Sequence, residues 1–504
     1  MPSNASATRS EASDAAPATA ANNKKLPYPK SDIRVNLTNH FASKVYTSSS
    51  PVTGNVTITT KRHVRFDAIQ ILLIGTSKTR VVESLGTPQD VTHTLLKMAM
   101  PIPESSYPVP RVLETGHTYT FPFNFVIPNH LTINACNHPM DSNRLLDQHV
   151  LLPPSMGNWD KDDMAPQMAK IEYTIKARVL HQPDLGSSTL RIMEATQTLK
   201  VLPASIEEPP LSITEHDRLY TMCQSKSVRK TVLATKLGVL TAEGIQPGPA
   251  ILRSDGLGMV SPTVGQIRLK FEPASVDTPP PKVTNVTGKV AAHTFFSSGT
   301  ISNFPNMGHW NEQFVDHKRG AYSTTASLPP VLFKPSKWQQ HLTSTARRDS
   351  GYSTDNGPEV AVESDSGSST NPQRRRGSRQ STQSSSSKKQ ASPIFHSTTQ
   401  DVQFSLPVEK KTFIPTFHSC IVSRVYTLQL SLTVAIGSTT KTVSLILPLQ
   451  VMVEWTPPED DGVELPSFER AVQEAEADEH LRPRLMQVPD QQFRETSVLP
   501  GYGA

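Results

Sequence analysis

The sequence predicts an all-β protein built as two successive antiparallel β-sandwiches. Three observations carry that expectation. Several runs alternate apolar and polar residues with a period of two, Pro and Gly recur between those runs, and few stretches repeat at helical spacing. Alternation turns one face of a strand toward a core and the other toward water, which is how sandwich sheets are patterned.

Residues 1–30 are polar and Ala/Ser-rich and read as disordered. A first strand-rich block spans 31–202. In it "GNVTIT" alternates over a short span, and "IEYTIKARV" alternates cleanly from Ile171 through Tyr173, Ile175 and Ala177 to Val179. "FDAIQILLIG" loses the alternation and reads as a more deeply buried strand. The segment 203–212, "PASIEEPPLS", is an extended linker stiffened by Pro209 and Pro210.

The second block spans 213–456. "QIRLKF" alternates, and "YTLQLSLTV" does so from Tyr426 to Val434, whereas "VSLILPLQVMV" reads as another deeply buried strand. Residues 343–400 interrupt the block with Ser, Arg and Gln and almost no large apolar side chains, so they cannot repay the entropy of ordering. A disordered insert is expected there. Residues 457–504 form an acidic tail, disordered and partly helical.

Composition narrows the function classes. The chain has 504 residues, 36% hydrophobic, with 43 Pro against 24 Gly, which suits folded domains diluted by extended polar segments. A net charge of +5 is too small for its length to attract nucleic acid in bulk. Cys136, Cys223 and Cys420 lie far apart, show no metal-ligand spacing, and fit a reducing compartment better than a disulfide framework. The first residues contain no apolar core of a secretory signal, and no run is long enough to span a membrane. A soluble intracellular protein is expected.

Catalytic signatures are absent from the sequence: no HExxH, CxxC, G-x-S-x-G or phosphate-binding loop. His93 in "HTLLK" and His117 in "HTYTF" sit in strand patterns and read as hydrogen-bonded structural histidines. Cys420, before the apolar "CIV", reads as a small buried thiol. No catalytic residue, cofactor or metal is expected.

Ordered segments point further. "YTSSSPVTGNVTITTKRHVRFDAIQILLIGTSKTRV", "LETGHTYTFPFNFVIPNHL" and "IEYTIKARVL" resemble the amino-terminal domain of arrestins, in which a strand ends in a Leu-x-Gly. "SVRKTVLATKLGVLTAEGIQPGPAI", "LKFEPASVDTPPPKVTNVTGKVAAHTFFS" and "FIPTFHSCIVSRVYTLQLSLTV" are similar to the carboxy-terminal domain of fungal α-arrestins, the arrestin-related trafficking adaptors. The resemblance covers 31–456 without the insert. It implies an arrestin fold of two immunoglobulin-like sandwiches and a non-catalytic adaptor. Such an adaptor binds cytoplasmic tails of membrane transporters or receptors and recruits a HECT-type ubiquitin ligase through its WW domains, driving ubiquitin-dependent endocytosis. It would be cytoplasmic, recruited to the plasma membrane or endosomes, and only peripherally membrane-associated. The alternative is an arrestin-fold scaffold in signalling or vesicle trafficking that recruits no ligase.

The tail carries two variants of the family's PPxY docking sequence. Leu499-Pro500-Gly501-Tyr502 keeps Pro and Tyr at the required offset, and Leu465-Pro466-Ser467-Phe468 replaces Tyr by Phe. A WW domain grips Pro in a polyproline conformation and takes the ring in a second slot, so two weak ligands can act together. Phe468, Ala471, Val472 and Ala475 share one helical face, so Phe468 can equally dock a short helix on a sandwich. In the insert, Ser350, Ser378 and Ser381 follow arginines at kinase-like spacing and are candidate phosphorylation sites, with phosphopeptide-binding proteins as possible readers. Two basic clusters, Lys61, Arg62 and Arg65, and Lys226, Arg229 and Lys230, are weak candidates for contact with acidic cargo or anionic lipid.

Overall fold

Strands form where the sequence alternates, and they dominate the molecule. The computed structural model describes residues 32–455 apart from 83–87, 183–188, 231–234, 309, 311–317, 343–393 and 437–438. All of them belong to one unit, Met1–Thr456.

The amino-terminal half comprises β1 (Asp32–Leu37), β2 (Val45–Tyr46), β3 (Pro51–Thr59), β4 (Val64–Arg65), β5 (Ala68–Val82), β6 (Pro88–Ala99), β7 (Val112–Leu113), β8 (Thr118–Val126), the helix α1 (Asn143–His149), β9 (Ala169–His181) and β10 (Leu190–Val201). It forms two main sheets. One is three-stranded, in the order β1-β3-β8; the other is five-stranded, β2-β10-β9-β5-β6. Pairing is antiparallel except between β10 and β2.

The carboxy-terminal half comprises β11 (Cys223–Arg229), β12 (Lys236–Ile245), β13 (Ala250–Leu252), β14 (Thr263–Pro273), β15 (Lys282–Ser297), β16 (Arg319–Ser327), β17 (Leu332–Phe333), β18 (Gln339–Leu342), β19 (Ile394–Phe404), β20 (Phe417–His418), β21 (Val422–Ile436), β22 (Thr439–Leu449) and β23 (Val451–Val453). One sheet follows the order β11-β12-β14-β19-β17, with β18 also on β19. The other runs β16-β15-β21-β20, with β22 also on β21.

The alternation does what it predicts. In β9, Ile171, Tyr173, Ile175, Ala177 and Val179 are fully buried, and the residues between them are only partly covered. Val56 and Ile58 in β3, and Ile267, Leu269 and Phe271 in β14, bury in the same rhythm. These inward faces belong to one apolar core that continues from the first half into the second. In "FDAIQILLIG" Ile69, Ile71 and Leu73 are buried on one face, whereas on the other only Leu72 is buried and Gln70 is exposed.

Three segments differ from expectation. The strand holding "LLIG" does not end at Gly75 but runs on to Val82, with a register shift between Gly75 and Thr76. The Tyr173 ring lies across Gly75, where an added Cβ would sit 2.6 Å from a ring carbon, so the glycine makes room for the ring rather than ending the strand. "VSLILPLQVMV" is two strands, β22 and β23, interrupted at Gln450, and its burial alternates except at Leu447–Leu449, where three residues in a row are buried. The insert expected over 343–400 stops short: 394–400 lie in β19. Its inward positions there include Thr398 and Gln400. Their side chains donate to Ser336 Oγ (2.7 Å) and to the Lys334 carbonyl (2.6 Å), so the strand is buried without an apolar signature. The rest of the insert, the first 31 residues and the tail lie outside the described residues.

Candidate functional site

The two halves meet at a polar seam. Residues 153–166 leave the first half as a loop whose shape is set by acidic side chains. Asp163 accepts the backbone N–H of Gly157 (2.5 Å) and of Ala165 (3.2 Å), and Asp162 accepts that of Met164 (2.8 Å). Met164 takes a left-handed conformation, φ 59°. Lys411, ion-paired with Asp162, and the Met164 N–H hold the Asp162 carboxyl below its usual range.

This loop turns its carbonyls toward Arg424 on β21. Arg424 is wholly buried, and no carboxylate is its direct acceptor in the hydrogen bonds seen. Nε donates to Thr294 Oγ1 (2.8 Å), one terminal nitrogen to the Asp163 carbonyl (3.0 Å), and the other to the Met164 carbonyl (3.2 Å) and toward Met156 Sδ (3.6 Å). A buried guanidinium needs its donors filled; Thr294 fills one from Arg424's own half, and the two carbonyls come from the opposite half. Tyr426 continues the seam, donating to the Ile414 carbonyl (2.8 Å).

The linker closes the joint. Residues 203–212 carry no helix or strand, and they are tied down at both sides. Arg144 pairs with Glu208 (2.9 Å), whose carboxylate also accepts Gln148. From the second half, Gln450 accepts the Glu208 N–H (3.0 Å) and donates to the Ile206 carbonyl (3.0 Å). Ser205 and Val453 exchange two further hydrogen bonds. Beside the linker lies a cavity of about 80 Å³, lined among others by Arg144, Phe304 and Tyr426. Chemically the seam is a joint that fixes one sheet pair against the other.

The fold also gathers residues that the sequence scatters. Cys136 and Cys420 come together with His138 and His149, although their spacing in the chain announces no motif. Cys420 is buried, as expected, and burial together with the Cys136 thiol pushes its thiol pKa far up. His93 is hydrogen-bonded, Nε2 to the Ala135 carbonyl at 2.6 Å, while His117 is exposed and packs edge-on against Tyr119.

The basic clusters sit apart. Lys61 and Arg62 are exposed on the turn between β3 and β4, and Arg65 is exposed on β4. Lys226 and Arg229 lie on the edge strand β11, followed by Lys230, and Lys226 donates to the Thr442 carbonyl (2.5 Å). The docking candidates Leu465, Pro466, Phe468, Leu499, Pro500 and Tyr502 and the serines 350, 378 and 381 lie outside the described residues. Arg424 escaped the sequence reading; its signal is a lone Arg in the apolar run "CIVSRVYTLQL". No helix among the described residues is long and apolar enough to cross a membrane. No protein-family model matches the chain, and no curated protein matches it.

Proposed function

We propose that the chain is a non-catalytic adaptor of the α-arrestin kind, built as two immunoglobulin-like sandwiches in tandem. The observation that supports this best is the seam: two pairs of sheets held in one unit by Arg424 and a strapped linker. A binding module gains from such a joint, because a broad surface kept at a fixed angle loses little entropy on docking. In this reading the sandwiches engage cytoplasmic tails of membrane transporters or receptors. The acidic tail presents Leu465-Pro466-Ser467-Phe468 and Leu499-Pro500-Gly501-Tyr502 to the WW domains of a HECT ubiquitin ligase.

Calorimetry of the full-length protein against a tandem WW array tests it. Binding is expected to weaken in Tyr502→Ala and in Phe468→Ala and to vanish in the double variant, because the two sites share one avidity. A wild-type protein that binds no WW domain leaves the ligase-free scaffold as the better reading.

A further inference from the structure

Cys136, His138, His149 and Cys420 each offer one ligand atom, and these four atoms lie within 4.8 Å of one another. We propose that they form a tetrahedral site for one zinc ion. Two sulfurs and two imidazole nitrogens are a donor set that a tetrahedral thiophilic cation takes. Cys136 Sγ and His138 Nε2 stand 3.6 Å apart. That is already an edge of a tetrahedron whose bonds are about 2.0–2.3 Å long.

The histidines give a second, independent observation. His149 is completely buried and neither of its ring nitrogens has a hydrogen-bond partner, while His138 presents Nε2 to Cys136 Sγ. An imidazole enclosed in this way, beside two thiols, lacks the polar contacts that buried rings normally make. A metal ion supplies one. Zinc entering the site displaces the protons of Cys136 and Cys420 to solvent and bonds two thiolates and two neutral imidazoles. The ion's two charges are then cancelled and nothing is oxidised or reduced.

Ordered elements hold the ligands. Ser142 caps α1 by accepting the Leu145 N–H (3.3 Å), and His149 stands in the last turn of that helix. Cys420 sits in a tight turn where Ser419 donates its N–H (2.9 Å) and its hydroxyl (2.8 Å) to the Val422 carbonyl, and the Cys420 carbonyl accepts the Ile301 N–H (2.8 Å). The bond from His93 to the Ala135 carbonyl steadies the loop before Cys136. Three ligands thus come from the first half and the fourth from the second. The ion is a staple across the joint, placed away from any reacting group.

The test uses full-length, tag-free protein. Elemental analysis by mass spectrometry is expected to find about one zinc per folded chain, the stoichiometry of a closed four-ligand site. After chelation under reducing conditions, added Co²⁺ is expected to give the visible bands of a tetrahedral thiolate complex, saturating at one equivalent and bleached by Zn²⁺. Zinc content is expected to fall at least about tenfold in Cys136→Ser and in His149→Asn, no less than the loss of an outer-shell partner costs. The exposed His117→Asn is expected to keep it. Circular dichroism reports folding, and the cobalt titration of the wild type decides if a variant does not fold. Four results would each overturn the proposal: folded wild type that takes no zinc from excess, a cobalt spectrum without thiolate bands, full zinc retention in folded Cys136→Ser, or a Cys136–Cys420 disulfide in freshly purified protein.

Discussion

β9 and β21 read alike in sequence and end in different surroundings. Both alternate strictly over their apolar stretches, and both lie inside a sheet between two partners. β9 keeps the pattern along its length: the core face is closed and Glu172, Lys176 and Arg178 stay at the surface side, engaged in ion pairs. β21 keeps it from Leu428 onward, but Val422–Leu428 are buried on both faces. One face of that stretch carries Arg424 into the seam, and the other packs Val425 against Phe295, Ile301 and Trp310. Alternation therefore reports a strand that keeps one wet face. Where a second structural layer covers that face, burial continues while the polar residues remain.

The sharpest way to break this comparison is to remove a cation from each strand. Arg424→Ala leaves the Asp163 and Met164 carbonyls buried without their donor and is expected to cost about 2–6 kcal/mol, about 1–3 for each acceptor left unsatisfied. Lys176→Ala, at 4.0 Å from Glu194 on the solvent side, is expected to cost about 1 kcal/mol or less. Urea unfolding followed by tryptophan fluorescence compares them. Equal losses would mean that the seam contributes nothing special.

A second contrast is with pH. His293, on the neighbouring strand β15, is buried between Ser323 Oγ (2.7 Å) and Thr427 Oγ1 (3.0 Å). Burial, aided by the Arg424 charge, lowers its pKa from 6.5 to about 4. The unfolded chain therefore binds a proton in that window that the folded protein refuses. Stability is full above about pH 6.5 and falls as pH drops toward 4, by about 3 kcal/mol from this residue. In His293→Gln the fall between pH 7 and 4 is expected to be shallower; identical profiles would remove His293 from the account.

A smaller effect than that of His293 belongs to β9. The Tyr173 hydroxyl donates to the Pro153 carbonyl (2.6 Å) at the base of the seam loop. Tyr173→Phe keeps the ring against Gly75 and loses this bond, so a thermal melt is expected to show a cost of about 1–2 kcal/mol. A larger loss would mean that β9 also anchors the joint.

Particular residues show how far the sequence could be read. Ile171 to Val179 were legible because every second side chain is apolar. β19 reads as part of the insert up to residue 400, because Thr398 and Gln400 occupy core positions and donate hydrogen bonds that no local pattern reveals. α1 was missed because seven residues, with Leu145 and His149 buried, make too short a period to detect. Cys136 and Cys420 looked solitary, since nothing local says that the Ser419–Val422 turn will meet the loop after Thr132.

By itself the sequence determined that this protein is mostly β, where several of its long strands lie, and which side of the alternating ones faces a core. Those are consequences of a two-residue period, which each strand carries within itself. Only the tertiary structure decided that Arg424 is fully buried against the Asp163 and Met164 carbonyls, that the linker is strapped rather than free, and that two cysteines meet two histidines. Each of these depends on groups far apart in the chain, and it is the packing of one sheet pair on the other that removes their water and makes them partners.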